Sequence, residues 1–166
     1  MAVDFRKPAC VSNTNEAIFG ICDDPHPAKN PAYLSFTNAE SWIAWVDNEN
    51  NKDITFTAID HCVEIVRANG EQESRCDGML THDSTITFVE LKDRDGGRWL
   101  GDATDQLKIT ISIYKTEVGL TDYDKYFAYV VNKQRPNFKA ASATVAERFA
   151  DETGFVLRVD PVIKID

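Results

Sequence analysis

The run Arg75-Cys-Asp-Gly-Met-Leu-Thr-His-Asp-Ser-Thr-Ile-Thr-Phe-Val-Glu-Leu-Lys92 constrains this chain more than any other. Thr85-Ile-Thr-Phe-Val is β-branched and aromatic with apolar residues on both faces, the pattern of a central, doubly covered strand. Met79 and Leu80 lead into His82-Asp83-Ser84, which has turn chemistry, so the run predicts a hairpin. Glu90 and Lys92 lie two positions apart and project to one face, whereas Leu91 turns its side chain away and leaves its carbonyl oxygen available. Asp77 would approach Glu90 across the hairpin. Two carboxylates and a carbonyl oxygen would then converge, hard oxygen donors of the kind that suit Mg²⁺ or Mn²⁺, with an ammonium beside them.

The flanking segments read as follows. Thr37-Asn-Ala-Glu-Ser has the pattern of a capped helix start, and Trp42, Ile43, Trp45 and Val46 would supply an apolar face ending near 48–52. From Asp53 the pattern alternates, with Ile54, Phe56 and Ala58 on one side and Ile59, His61, Val63 and Ile65 on the other, which predicts one long strand. Asp60 and Glu64 share a side with Cys62 on it, either as solvated charges or as further acids of a site. After the loop Asp93-Arg-Asp-Gly-Gly, the residues Trp99, Ala103, Leu107 and Tyr114 recur at helical spacing to about Val118, with Gln106 on the same stripe. Tyr126–Val131 predicts a strand, Ala143–Glu152 a helix ended by Gly154, and Phe155–Val159 a closing strand. Between them, Lys133, Arg135 and Lys139 form the most basic loop, suited to a phosphate contact or simply solvated. Within 1–36, Ala17-Ile-Phe-Gly-Ile-Cys is a candidate strand, while Asp23-Asp-Pro-His-Pro is a loop to which no chemistry is assigned.

These elements predict a single α/β domain over residues 1–166. It would comprise an N-terminal extension (1–36), a three-layer core (38–131) and a C-terminal helix and strand (132–166). The mixed central sheet would be an antiparallel three-strand meander joined through a crossover helix to further strands. The formal net charge of -9 excludes a generalised polyanion binder but not a metal-dependent nuclease, whose site concentrates carboxylates. No apolar run approaches the roughly 20 residues that span a membrane, and the N-terminus lacks the core of a signal peptide. Cys10, Cys22, Cys62 and Cys76 form no paired motif, so reduced thiols in a cytoplasmic protein are expected. A zinc site from Cys62 and Cys76 with His61 or His82 would need an irregular ligand set. Trp42, Trp45 and Trp99 read as core, His26, His61 and His82 as structural or surface residues, and Asp83 as a turn former.

Asp77 followed by Glu90-Leu-Lys92, in this order of elements, resembles the PD-(D/E)XK nuclease superfamily of restriction-endonuclease-like folds, with Cys76 where the motif has proline. The resemblance spans roughly Asn38 to Val131. It implies that Asp77 and Glu90 hold Mg²⁺ or Mn²⁺ together with the Leu91 carbonyl oxygen, and that Lys92 positions the water that hydrolyses a phosphodiester. Gln106 matches a glutamine that several branches place on the next helix, and Glu40 a further metal-binding glutamate on the preceding one. The implied function is a nuclease acting on DNA or RNA. The alternative is a catalytically inactive version of the fold that binds or inhibits a protein partner, which the acidic balance and the small size favour.

Overall fold

The two halves of the hairpin run sit at the centre of the computed structural model, which describes residues 2–136, 138 and 142–166. In chain order its elements are β1 (Val11–Thr14), β2 (Ile18–Cys22), β3 (Tyr33–Ser35), β4 (Ala44–Asp47), β5 (Ile54–Ala58), β6 (Gly78–His82), β7 (Thr85–Lys92), α1 (Trp99–Glu117), β8 (Lys125–Asn132), α2 (Ser142–Thr153), β9 (Val156–Val159) and β10 (Val162–Lys164). A six-stranded sheet has the order β1-β5-β6-β7-β8-β9, and a second sheet of four strands has the order β10-β4-β2-β3. Strands β5, β6 and β7 form an antiparallel meander, and β8 and β9 then add in parallel. Among the described residues no helix is long and apolar enough to cross a membrane.

The expected central strand is β7, whose residues are buried on both faces up to Leu91. Ile86 and Phe88 face α1 and α2, where Trp99, Ala103, Leu107, Ile111 and Tyr114 pack with Phe149 and Phe155. Each such aromatic contributes roughly 1.5–3 kcal/mol by leaving water. Val89 and Leu91 face the other way, into a cluster with Phe19, Ile21, Val46 and Ile163 of the second sheet. The layers are therefore helices, central sheet, second sheet.

The covering of that second face departs from expectation. Thr37–Asn48 is not a helix but a 3-10 turn, Ala39–Ser41, followed by β4. Asn38 has a left-handed backbone (φ 54°), which prevents the helix from starting. Ile43-Ala-Trp-Val then carries β-branched and aromatic residues whose burial alternates along β4. Trp42 lies directly over Gly20 of β2, where an added Cβ would fall 2.1 Å from the indole.

The single strand expected over 53–65 stops at Ala58. The apolar positions change parity there, from even to odd, and an extended chain cannot change parity without a break. The break is a turn in which the Ile59 carbonyl accepts the Cys62 and Val63 N–H groups at 3.1 and 2.9 Å, with His61 left-handed at φ 62°. The expectation of four reduced thiols also fails, because Cys10 and Cys62 are joined in a disulfide, leaving Cys22 and Cys76 as buried free cysteines. That pairing removes Cys62 from any zinc set. Trp42 and Trp99 are core as expected, whereas Trp45 is 42% exposed.

Candidate active site

The meander brings the run's charged residues to one end of the central sheet. Asp77 immediately precedes β6, and Gly78 follows it for a steric reason: a Cβ there would come within 2.6 Å of the Phe56 ring. The Asp77 carboxylate accepts the Leu91 N–H at 2.7 Å, and the Asp77 N–H donates to Glu90 Oε1 at 3.1 Å. Lys92 Nζ lies 2.9 Å from Glu90 Oε2 and donates to Gln106 Oε1 at 2.8 Å. Gln106 in turn donates to the Arg75 carbonyl at 3.2 Å, and Thr110 Oγ1 accepts the Cys76 N–H at 2.8 Å. Helix α1 thereby fixes the segment that carries Asp77. The Leu91 carbonyl shares its residue's N–H edge, towards Asp77, since the next carbonyl, that of Lys92, is turned towards the β8 side to accept the Lys133 N–H.

Burial shapes the ionisation here. Glu90 is 1% exposed and Asp77 7%. Burial, opposed by the charge and hydrogen bond of Lys92, leaves Glu90 raised from 4.5 to about 7. Asp77 is raised well above the usual carboxylate range, first by burial and then by the charge of Glu90. Burial and the mutual repulsion of the two carboxyls both oppose a second negative charge, which favours a proton on the pair. A divalent cation would displace that proton.

The residues present fit Mg²⁺ or Mn²⁺. Two carboxylates and a carbonyl are hard oxygen donors, and Mg²⁺ is commonly held by one or two carboxylates while keeping several waters. Among the described residues no group of three or more His, Cys, Asp and Glu side chains is placed to hold a metal ion. Glu40 does not belong to the site. That residue is exposed on the 3-10 turn, outside the cleft lining, and its carbonyl accepts Lys133 Nζ at 2.8 Å.

The site opens into a cleft of about 840 Å³ whose lining includes Asp77, Glu90, Leu91, Lys92 and Gln106. Eight carboxylates face it against two firm cations, Lys92 and Arg94. Asp60 is one of these carboxylates and His61 also lines the cleft, while Glu64 lines only an adjoining cavity that shares Gln106. Asp23, Asp24 and His26, to which the sequence had been given no role, form part of the wall; their only advance signal was the Asp-Asp-Pro-His run itself. Asp83 lies at the opposite end of the hairpin, paired with Lys52. His82 is buried with its Nδ1 unpartnered. In the basic loop, Arg135 pairs with Asp95, Lys133 is exposed and donates to the Glu40 carbonyl, and Lys139 lies outside the described residues. No known protein family, curated protein or solved structure matches the chain.

Proposed function

We propose that the chain is a metal-dependent phosphodiester hydrolase acting on nucleic acid, a divergent restriction-endonuclease-like protein of the PD-(D/E)XK type. The observation that carries this reading is the chain of contacts at the mouth of the cleft, from the Asp77 N–H to Glu90, from Glu90 to Lys92 and from Lys92 to Gln106. It is supported by the order β5-β6-β7-β8-β9, with an antiparallel meander followed by a parallel return through α1, which puts the acid and the Glu-x-Lys triplet on paired strands.

Mg²⁺ or Mn²⁺, held by Asp77, Glu90 and the Leu91 carbonyl, would supply Lewis-acid activation of water and charge neutralisation at the phosphate. The protein's own groups do the rest. Glu90 fixes Lys92 so that its ammonium points into the cleft, where it orients the attacking water and stabilises the charge that grows on the phosphoryl oxygens. Gln106 holds Lys92 from the other side and prevents it from swinging away. The test is cleavage of a panel of DNA and RNA substrates with Mg²⁺ or Mn²⁺ by the wild type and Lys92→Ala. Hydrolysis by the wild type and none by the variant is expected; activity that survives the substitution sinks the proposal.

The acidic rim favours a second reading, an inactive fold that binds or inhibits a basic protein partner. Calorimetry separates the two, since Mn²⁺ affinity that depends on Asp77 and Glu90 belongs only to the first. A cytoplasmic location is part of the proposal; the Cys10–Cys62 disulfide suits an oxidising compartment, so whether it is bonded or open in the cell tests that location. Alkylation and mass measurement of protein from rapidly quenched cells distinguishes these forms.

A further inference from the structure

We propose that His61, oriented by Asp60, donates the proton to the leaving oxygen of the phosphodiester, on the side of Asp77 away from Lys92. This rests on the hydrolase reading and adds a second catalytic residue to it.

Three observations place the residue. First, the Ile59 N–H donates to the Asp77 carbonyl at 2.8 Å, so the β5–β6 pairing continues up to the turn that carries His61. His61 follows β5, Asp77 precedes β6 and the Glu90–Lys92 pair closes β7, so the three lie along one edge of adjacent strands with Asp77 in the middle. The outer two strands are two spacings, about 10 Å, apart. That span accommodates a phosphate together with the oxygens on its two sides, and in-line displacement requires the attacking and leaving oxygens to be on opposite sides of phosphorus. Second, His61 belongs to a built array. Its Nε2 lies 3.3 Å from Asp60 Oδ2, and Asp60 Oδ1 lies 3.2 Å from Nε of Arg75, whose side chain is buried. With the carboxylate beside Nε2, the proton that the imidazolium form gives up is the one on Nδ1. Third, His61 adopts a left-handed backbone, which a non-glycine residue takes up at a cost of order 1–3 kcal/mol and which clusters at functional sites. The disulfide at the adjacent Cys62 anchors that turn to the segment around Cys10.

The groups around His61 are mostly acidic: Asp60 adjoins it, and Asp23, Asp24 and His26 share its wall, while Arg75 reaches it only through Asp60. His61 also lies where the cleft meets a second cavity of about 600 Å³ that Lys7 and Lys29 line, and the departing strand would leave through it.

The step balances simply. Water adds to phosphorus, and the bond from phosphorus to the leaving oxygen breaks with its electron pair on that oxygen. The oxygen takes the proton from His61 Nδ1. The attacking water loses its own proton to solvent, and the imidazole is reprotonated from solvent, so the net change is one water across the ester.

The experiment compares a nucleic-acid substrate with a p-nitrophenyl phosphodiester, whose leaving group needs no proton, each with Mg²⁺ or Mn²⁺. The variants are His61→Asn, chosen because Asn tolerates the left-handed backbone, Asp60→Asn and Lys92→Ala. On nucleic acid, His61→Asn should lower kcat about 10²-fold or more, and Asp60→Asn should lower it less. On the activated ester both should stay near the wild-type rate, while Lys92→Ala loses both activities. Equal losses of His61→Asn on the two substrates, or no loss on either, overturn the role of His61 and leave the hydrolase standing. If the wild type hydrolyses neither substrate with either metal, the hydrolase reading falls and this inference with it.

Discussion

The hairpin of β6 and β7 has an aspartate near each end, and their environments drive them in opposite directions. Asp83, in the turn between the strands, is exposed and paired with Lys52 at 2.6 Å, and that hydrogen bond holds its carboxyl below the usual range. Asp77, on the other side of the same five-residue strand, is buried against Glu90 and held well above it. Residue type and strand are shared; solvent and neighbours are not. At Asp83 the nearest charge is a lysine that water screens. At Asp77 it is a second carboxylate from which water is excluded, so burial and repulsion act together. Such opposed environments set a solvated turn residue apart from one whose ionisation the fold strongly perturbs.

The widest gap between the two ends should appear in catalysis. Lys92→Ala is expected to lower metal-dependent hydrolysis by at least about 10²–10³-fold, the scale of losing a group that stabilises transition-state charge. Asp83→Asn should leave the rate unchanged in the same assay. An equal effect of the two substitutions would break the distinction between the ends.

Next in size is covalent rather than electrostatic. The Cys10–Cys62 bond closes a separation of 52 residues, which in the chain-entropy description is worth about 4 kcal/mol. Urea unfolding with and without a reductant reads this directly. A loss well below 1 kcal/mol would mean that the turn holding His61 is anchored by packing alone.

The ionisation itself predicts a pH effect on stability. Glu90 has a folded pKa of about 7 against an ordinary 4.5, so the folded state binds its proton more tightly than the unfolded state. The resulting stabilisation is complete below about pH 4.5 and is lost as pH rises through about 7, and raised Asp77 acts in the same sense. His82 is held below 6.5 by burial and works the other way, losing stability as pH falls. Subtracting the Glu90→Gln melting curve from the wild type cancels His82. The difference should shrink the wild-type Tm relative to the variant between pH 5 and 8 in chelator, and Mg²⁺ should restore it. A flat difference would place Glu90 in water.

The smallest effect belongs to the turn: Asp83→Asn should move the unfolding midpoint within replicate scatter, since its pair with Lys52 is exposed and screened. A shift comparable to that of Glu90→Gln would make the two ends alike.

What was legible in advance follows from how locally each feature is encoded. The hairpin, α1, the returning strand and the convergence of Asp77, Glu90, Lys92 and Gln106 rest on short-range rules: turn chemistry, parity along a strand and the 3.6-residue period. The second sheet was not legible as a whole. Its strand β4 owes its form to Trp42 lying over Gly20, a contact between residues 22 positions apart, and helical spacing in Trp42, Ile43, Trp45 and Val46 imitated a helix. The break after Ala58 was legible in the change of parity and was read as two faces of one strand. The roles of Asp23, His26 and His61 in the cleft wall depend on loops, whose paths no periodicity encodes.

The Cys10–Cys62 bond bears on how the molecule would respond to force. Strands β1 to β5 all lie between the two bonded cysteines. If the chain is drawn out by its termini, the segment between the two cysteines, a separation of 52 residues, carries no tension. At roughly 3.5 Å per extended residue, about 180 Å of contour length is withheld until the bond is reduced. Most of the second sheet and the first strand of the meander are thus mechanically sheltered, and the load falls on the parallel ladders of β7, β8 and β9.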